Sequence, residues 1–112
     1  MQLFRPTGLR ELQLVFQLGL RAWPPRLPEQ PIFYPVLNVG YAEQIARDWN
    51  TREGGKGFVL KFQVESAYVS RYEVQTVGAR SHRELWVPAE DLAEFNRRIV
   101  GPIEIIHTFV AE

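Results

Sequence analysis

The sequence predicts an α+β fold, a mostly antiparallel sheet with about three helices packed against part of it, and three observations carry that prediction. Two segments, and a third near the end, place apolar residues at three- and four-residue spacing, as amphipathic helices do. Several others alternate apolar and polar residues at period two, as half-buried strands do. Their order is strand, helix, strand, helix and then mostly strands, which separates this chain from the regular alternation of a parallel α/β sheet. A chain of 112 residues fits one domain, residues 1–112, with no room for a second.

Met1 to Arg5 reads as a first strand, with Pro6 expected to stop it. Thr7-Gly8 then leads into a helix whose apolar positions are Leu9, Leu12, Val15 and Phe16, and Gly19 ends it. From Trp23 to Pro31 there are four prolines in nine residues, each fixing φ and lacking a backbone donor, so this is a rigid, largely extended loop. Ile32 to Leu37 reads as a strand. Asn38 is placed to cap a helix that carries Tyr41, Ala42, Ile45, Ala46 and Trp49 along one stripe.

Asn50 to Gly57 is a polar, glycine-bearing connection and reads as the most mobile internal segment. The period then changes: Phe58, Leu60, Phe62 and Val64 alternate with Val59, Lys61 and Gln63, a strand with one buried face. Tyr72 to Gly78 and Arg83 to Val87 are two more strands. Pro88 opens a helix with Glu90 and Asp91 in its first turn, Leu92 and Phe95 on its apolar side and Arg97 and Arg98 near its end, all favourable to the helix dipole. Gly101 separates it from a last strand in which Ile103, Ile105, His107 and Phe109 alternate with Glu104, Ile106, Thr108 and Val110.

Composition narrows the function classes. A hydrophobic content of 46% argues against disorder, and no apolar run is long enough to cross a bilayer. Arg5, Arg10 and Glu11 interrupt the opening, so no signal peptide is read and a cytoplasmic location is expected. Thirteen basic residues balance 13 acidic ones, so the broad positive field of a nucleic-acid binder is missing. The chain has no cysteine, and His82 and His107 share no ligand spacing, so no metal site is expected.

The most informative run is His82-Arg83-Glu84-Leu85-Trp86-Val87-Pro88. If it is extended, Leu85 and Val87 face the core while His82, Glu84 and Trp86 share the opposite side. An acid between a histidine and a tryptophan suits a ligand cleft. The plainer alternative is a half-exposed strand with Trp86 lying over its neighbours, and both Trp49 and Trp86 read first as packing residues.

Together with Leu3-Phe4-Arg5-Pro6, Phe33-Tyr34-Pro35-Val36-Leu37-Asn38 and Tyr41-Ala42-Glu43-Gln44-Ile45-Ala46-Arg47-Asp48-Trp49-Asn50, this run resembles small bacterial proteins labelled ADP-ribosylation/crystallin proteins, over nearly the whole chain. The segment order is also similar to a compact ADP-ribosyltransferase fold. That resemblance implies a triad matched by position: Arg5 and Tyr34 to hold NAD, and Glu84 as the catalytic acid. His82, read as the second catalytic residue, would fall where such enzymes hold a residue that helps to choose the acceptor, as a base toward that acceptor or as a group that orients the acid without touching substrate. The chain departs from the toxin pattern in having no Ser-Thr-Ser run before the acid, and in having His82 where arginine-directed transferases carry Glu or Gln.

The residue types fit that chemistry. A carboxylate stabilises positive charge that develops on ribose as nicotinamide leaves. An arginine fork holds phosphate or ribose oxygens, and a tyrosine ring stacks on nicotinamide. What the resemblance implies is therefore an NAD-dependent mono-ADP-ribosyltransferase-like toxin, effector or modifier, acting on a protein or nucleic-acid acceptor without a metal or a membrane. The alternatives are an NAD glycohydrolase and a silent module that binds a nucleotide or a protein. Each residue has a plainer role: Arg5 paired with Glu11 at the surface, and Tyr34 as a loop anchor between Pro31 and Pro35.

Overall fold

In the computed structural model, which describes Met1–Glu112, a three-stranded antiparallel sheet runs β1 (Gln2–Gly8), β3 (Lys56–Val64) and β7 (Ile99–Val110), with β3 in the centre. Two short antiparallel ladders complete the strands. One pairs β2 (Ile32–Phe33) with β6 (Val87–Pro88), the other β4 (Val74–Thr76) with β5 (Arg83–Leu85). Helices α1 (Leu9–Gln17), α2 (Val39–Asp48) and α4 (Leu92–Arg97) stand where the sequence predicts them, and a single extra turn, α3 (Ser66–Val69), follows β3. The fold is α+β, and every strand pairing is antiparallel.

Pro6 does not stop the first strand. Phe4 turns both its N–H and its C=O outward to Val36, at 2.9 and 2.8 Å, so Pro6 two residues on points its missing donor to the same outer side. A proline on that side costs no bond to β3, and the ladder runs on to Gly8↔Gly57.

The central strand is covered on both faces, where one buried face was expected. Phe58, Leu60, Phe62 and Val64 enter the larger core with Trp23, Phe33, Leu85, Val87 and Phe95. Val59 points the other way into a smaller core with Phe4, Val36, Ala42 and Ala46, because the small residues of α2 let that helix lie close on the sheet. Gly57 is where the approach is tightest: a Cβ there would fall 2.9 Å from the carbonyl carbon of Ala46. Trp23 anchors the proline-rich loop, its rings 5.4 Å from Phe33 and 5.0 Å from Phe62, and Asn96 clamps its backbone through bonds of 2.8 and 3.0 Å.

Gly101 lies inside β7 rather than before it. The register against β3 slips between Lys61 and Gln63, where Gly101, at φ +77°, and Pro102 form a bulge. A second slip leaves Ile106 unpaired between Ile105 and His107. Each bulge re-aims the side chains that follow. Ile106 and Phe109 therefore both pack on the α2 side, Ile103 is buried, and Ile105 is exposed, contrary to a simple alternation. In the same way Arg83 to Val87 is not one strand: β5 pairs with β4, Trp86 is unpaired, and β6 pairs with β2. Strand β4 is also shorter than the predicted Tyr72 to Gly78, and a 3-10 turn, Ala89–Asp91, precedes α4. No helix is long and apolar enough to cross a membrane.

Candidate functional site

Val36 brings the site together. It bridges Phe4 on one side and Glu84 on the other, while Leu37 N–H bonds the Arg83 carbonyl and Leu85 N–H bonds the Pro35 carbonyl, at 3.0 and 2.9 Å. The stretch 35–37 is thus a one-residue-wide strand between β1 and β5. The predicted strand Ile32 to Leu37 is split by this arrangement: Ile32 and Phe33 serve β6, and Val36 joins the edge of the main sheet. Arg5, Tyr34 and Glu84 come from distant parts of the sequence, and all three line one cleft of about 460 Å³ with Val36, Asn50 and Trp86.

Glu84 is 8% exposed and has no ion-pair partner. Its carboxylate is held by two neutral donors instead: the Tyr41 hydroxyl donates to Oε2 at 3.1 Å, and the Trp86 indole N–H donates to Oε1 at 2.8 Å. Each oxygen keeps acceptor capacity for a ligand. Burial first, and then the adjacent Glu84 carboxylate, push the Tyr41 hydroxyl up to about 12, so it stays a donor at neutral pH. Neutral donors hold the carboxylate in place without cancelling its charge.

Arg5 makes the Glu11 pair that the plainer reading predicts, in forked form: Nε to Oε2 at 2.9 Å and Nη2 to Oε1 at 3.0 Å. It also donates to the Tyr34 carbonyl at 3.4 Å. Arg26, from the proline-rich loop, reaches the same carboxylate at 3.9 Å, and both guanidiniums lie over the Phe33 ring, at 5.0 and 6.0 Å. Two cations share one anion. Burial, and then Arg5, hold Arg26 below the usual arginine range.

Tyr34 and Trp86 form the rim, 40% and 44% exposed, with rings edge to face at 6.4 Å. Trp86 lies half-exposed over Tyr34 and Glu84, as the plainer reading has it, whereas Trp49 is not the packing residue that was expected; the core tryptophan is Trp23. His82 lies outside the cleft lining. Its ring stacks on Tyr41 at 4.3 Å and 7°, so in this geometry it holds the tyrosine that holds Glu84. Arg5, Pro6, Tyr34 and Asn50 also line a larger groove of about 1070 Å³ that runs along α1 and the proline-rich loop to Trp49. Those four residues form a neck between the two cavities.

No protein-family model, no curated protein and no solved structure matches this chain.

Two site residues were missed in the sequence. Tyr41 read as part of an apolar stripe, and only its polar tip signals another duty. Arg26 read as part of a stiff loop, yet the prolines on both sides of it are what fix a charge in place.

Proposed function

We propose that the chain is an NAD-dependent mono-ADP-ribosyltransferase-like enzyme, with the nicotinamide end of NAD in the Glu84 cleft and its diphosphate at the neck. One observation carries this reading: Arg5, Tyr34 and Glu84 line a common cleft in which the carboxylate is buried and unpaired. The residues fit the ligand. The positive surplus at Arg5 and Arg26 suits phosphate oxygens, and the Tyr34 and Trp86 rings suit a flat heterocycle.

In the reaction the bond between the ribose anomeric carbon and the nicotinamide nitrogen breaks, and its electron pair leaves with neutral nicotinamide. Glu84 faces the charge that develops on the sugar and accepts a hydrogen bond from a ribose hydroxyl. An acceptor nucleophile then bonds to the anomeric carbon and gives up its proton. A protein or nucleic acid as acceptor makes the enzyme a transferase acting as toxin, effector or modifier, and water makes it a glycohydrolase.

The test is calorimetry with NAD together with an assay of released nicotinamide, on the wild type and Glu84→Gln. We expect binding by both proteins and release by the wild type only, the variant losing at least ~10²-fold in rate. Equal release by the variant removes Glu84 from the chemistry. Absence of both binding and release leaves the silent-module reading, with a protein partner to be sought.

A further inference from the structure

Trp49 is 61% exposed and contributes nothing to either core, yet its backbone is held on both sides. Its N–H bonds the Ile45 carbonyl at the end of α2, and its carbonyl accepts from Arg52 N–H across the 3-10 turn Asn50–Arg52. The Arg52 guanidinium lies 4.2 Å from the indole centre, covering one face of the ring. Trp49 also lines the larger groove, next in sequence to Asn50 at the neck. An aromatic ring that is backed by a cation and open to a groove is a stacking surface.

We propose that Trp49 is the stacking platform for the purine base of an adenine nucleotide whose phosphates lie beside Arg5 and Arg26. The assignment builds on the NAD reading above, since it places the other end of the same dinucleotide. Charge selects the ligand class. Across the groove Arg5, Arg10 and Arg26 face Glu11, Glu29 and Glu53, so there is no continuous positive track for a polynucleotide. The surplus is confined to the point beside the neck where Arg5 and Arg26 share Glu11, and that suits one short run of phosphates beside one base.

The experiment is calorimetric titration of the wild type, Trp49→Ala and Trp49→Phe with two probes: ADP-ribose, which carries the base, and nicotinamide mononucleotide, which does not. We expect Trp49→Ala to weaken ADP-ribose binding about tenfold or more, Trp49→Phe to recover most of that loss, and mononucleotide binding to stay unchanged. Wild-type affinity of Trp49→Ala for ADP-ribose overturns the platform, as does an equal loss for both probes. If the wild type binds ADP-ribose in a Trp49-dependent way but binds no mononucleotide, the platform stands and the Glu84 reading falls. If it binds neither, both fall.

Discussion

At the scale of single residues the site depends on how a buried carboxylate is held. Glu84 is oriented by a phenol and an indole, so Gln in its place keeps both contacts: its carbonyl accepts from Trp86, and the Tyr41 hydroxyl turns to accept from its amide. Glu84→Gln therefore tests charge rather than folding. Tyr41 carries a pH signature of its own. Its folded value of about 12 lies above the ordinary tyrosine value near 10, so above that ordinary value the unfolded chain has lost a proton that the folded one keeps. Its contribution to stability is thus complete below pH ~10 and is lost as pH rises through about 12. Tyr72 is displaced in the same direction, chiefly by burial and then by its bonds to Tyr68 and Asp91, so the wild type alone does not separate the two. Denaturant unfolding across this range should show the wild type losing its advantage over Tyr41→Phe. A constant difference between the two proteins would mean that the folded Tyr41 hydroxyl is not displaced, whether by burial or by Glu84.

At the scale of elements the site depends on how close α2 lies to the sheet. Ala42 and Ala46 are small, and Gly57 is bare beneath the Ala46 carbonyl, so the helix carries Tyr41 down to the level of Glu84. Gly57→Ala should cost about 3 kcal/mol or more in urea unfolding, because the clash is with backbone that no rotamer change relieves. A cost below ~1 kcal/mol would mean that α2 slides freely. Most elements were legible because each left a local trace: the α1 spacing closed by Gly19, the Asn38 side chain that accepts from Tyr41 N–H at 3.2 Å, and the alternation of Phe58 to Val64. What was not legible depended on partners far along the chain. The β7 bulges arise from its pairing with β3, and the break at Trp86 from two different neighbours, β4 and β2. Val36 is one apolar residue among several until Phe4 and Glu84 are seen on either side of it. In the site, Arg5, Tyr34 and Glu84 were grouped only through the family resemblance, and Arg26 was not grouped with them, since a shared carboxylate leaves no mark on spacing.

At the scale of the whole molecule the charges cancel, with 13 of each sign, so no long-range field draws an anion in. Any preference for phosphate must come from the place where Arg5 and Arg26 share Glu11, in side chains that are 13%, 10% and 21% exposed. One carboxylate neutralises one guanidinium, and the second, that of Arg26, donates to the Gln30 carbonyl at 3.2 Å and lines the larger groove. Partial burial weakens the screening that salt exerts on this charge but does not abolish it, because the groove is open to solvent. Arg26→Gln removes the surplus and leaves the forked Arg5–Glu11 pair in place. Affinity for ADP-ribose should then fall about tenfold, in the range of a lost charge-assisted contact. Titration at salt concentrations from about 50 to about 500 mM should show a shallower dependence for the variant than for the wild type. Parallel dependences would mean that the anion is held elsewhere, and a flat wild-type dependence would mean that the neck binds no anion at all.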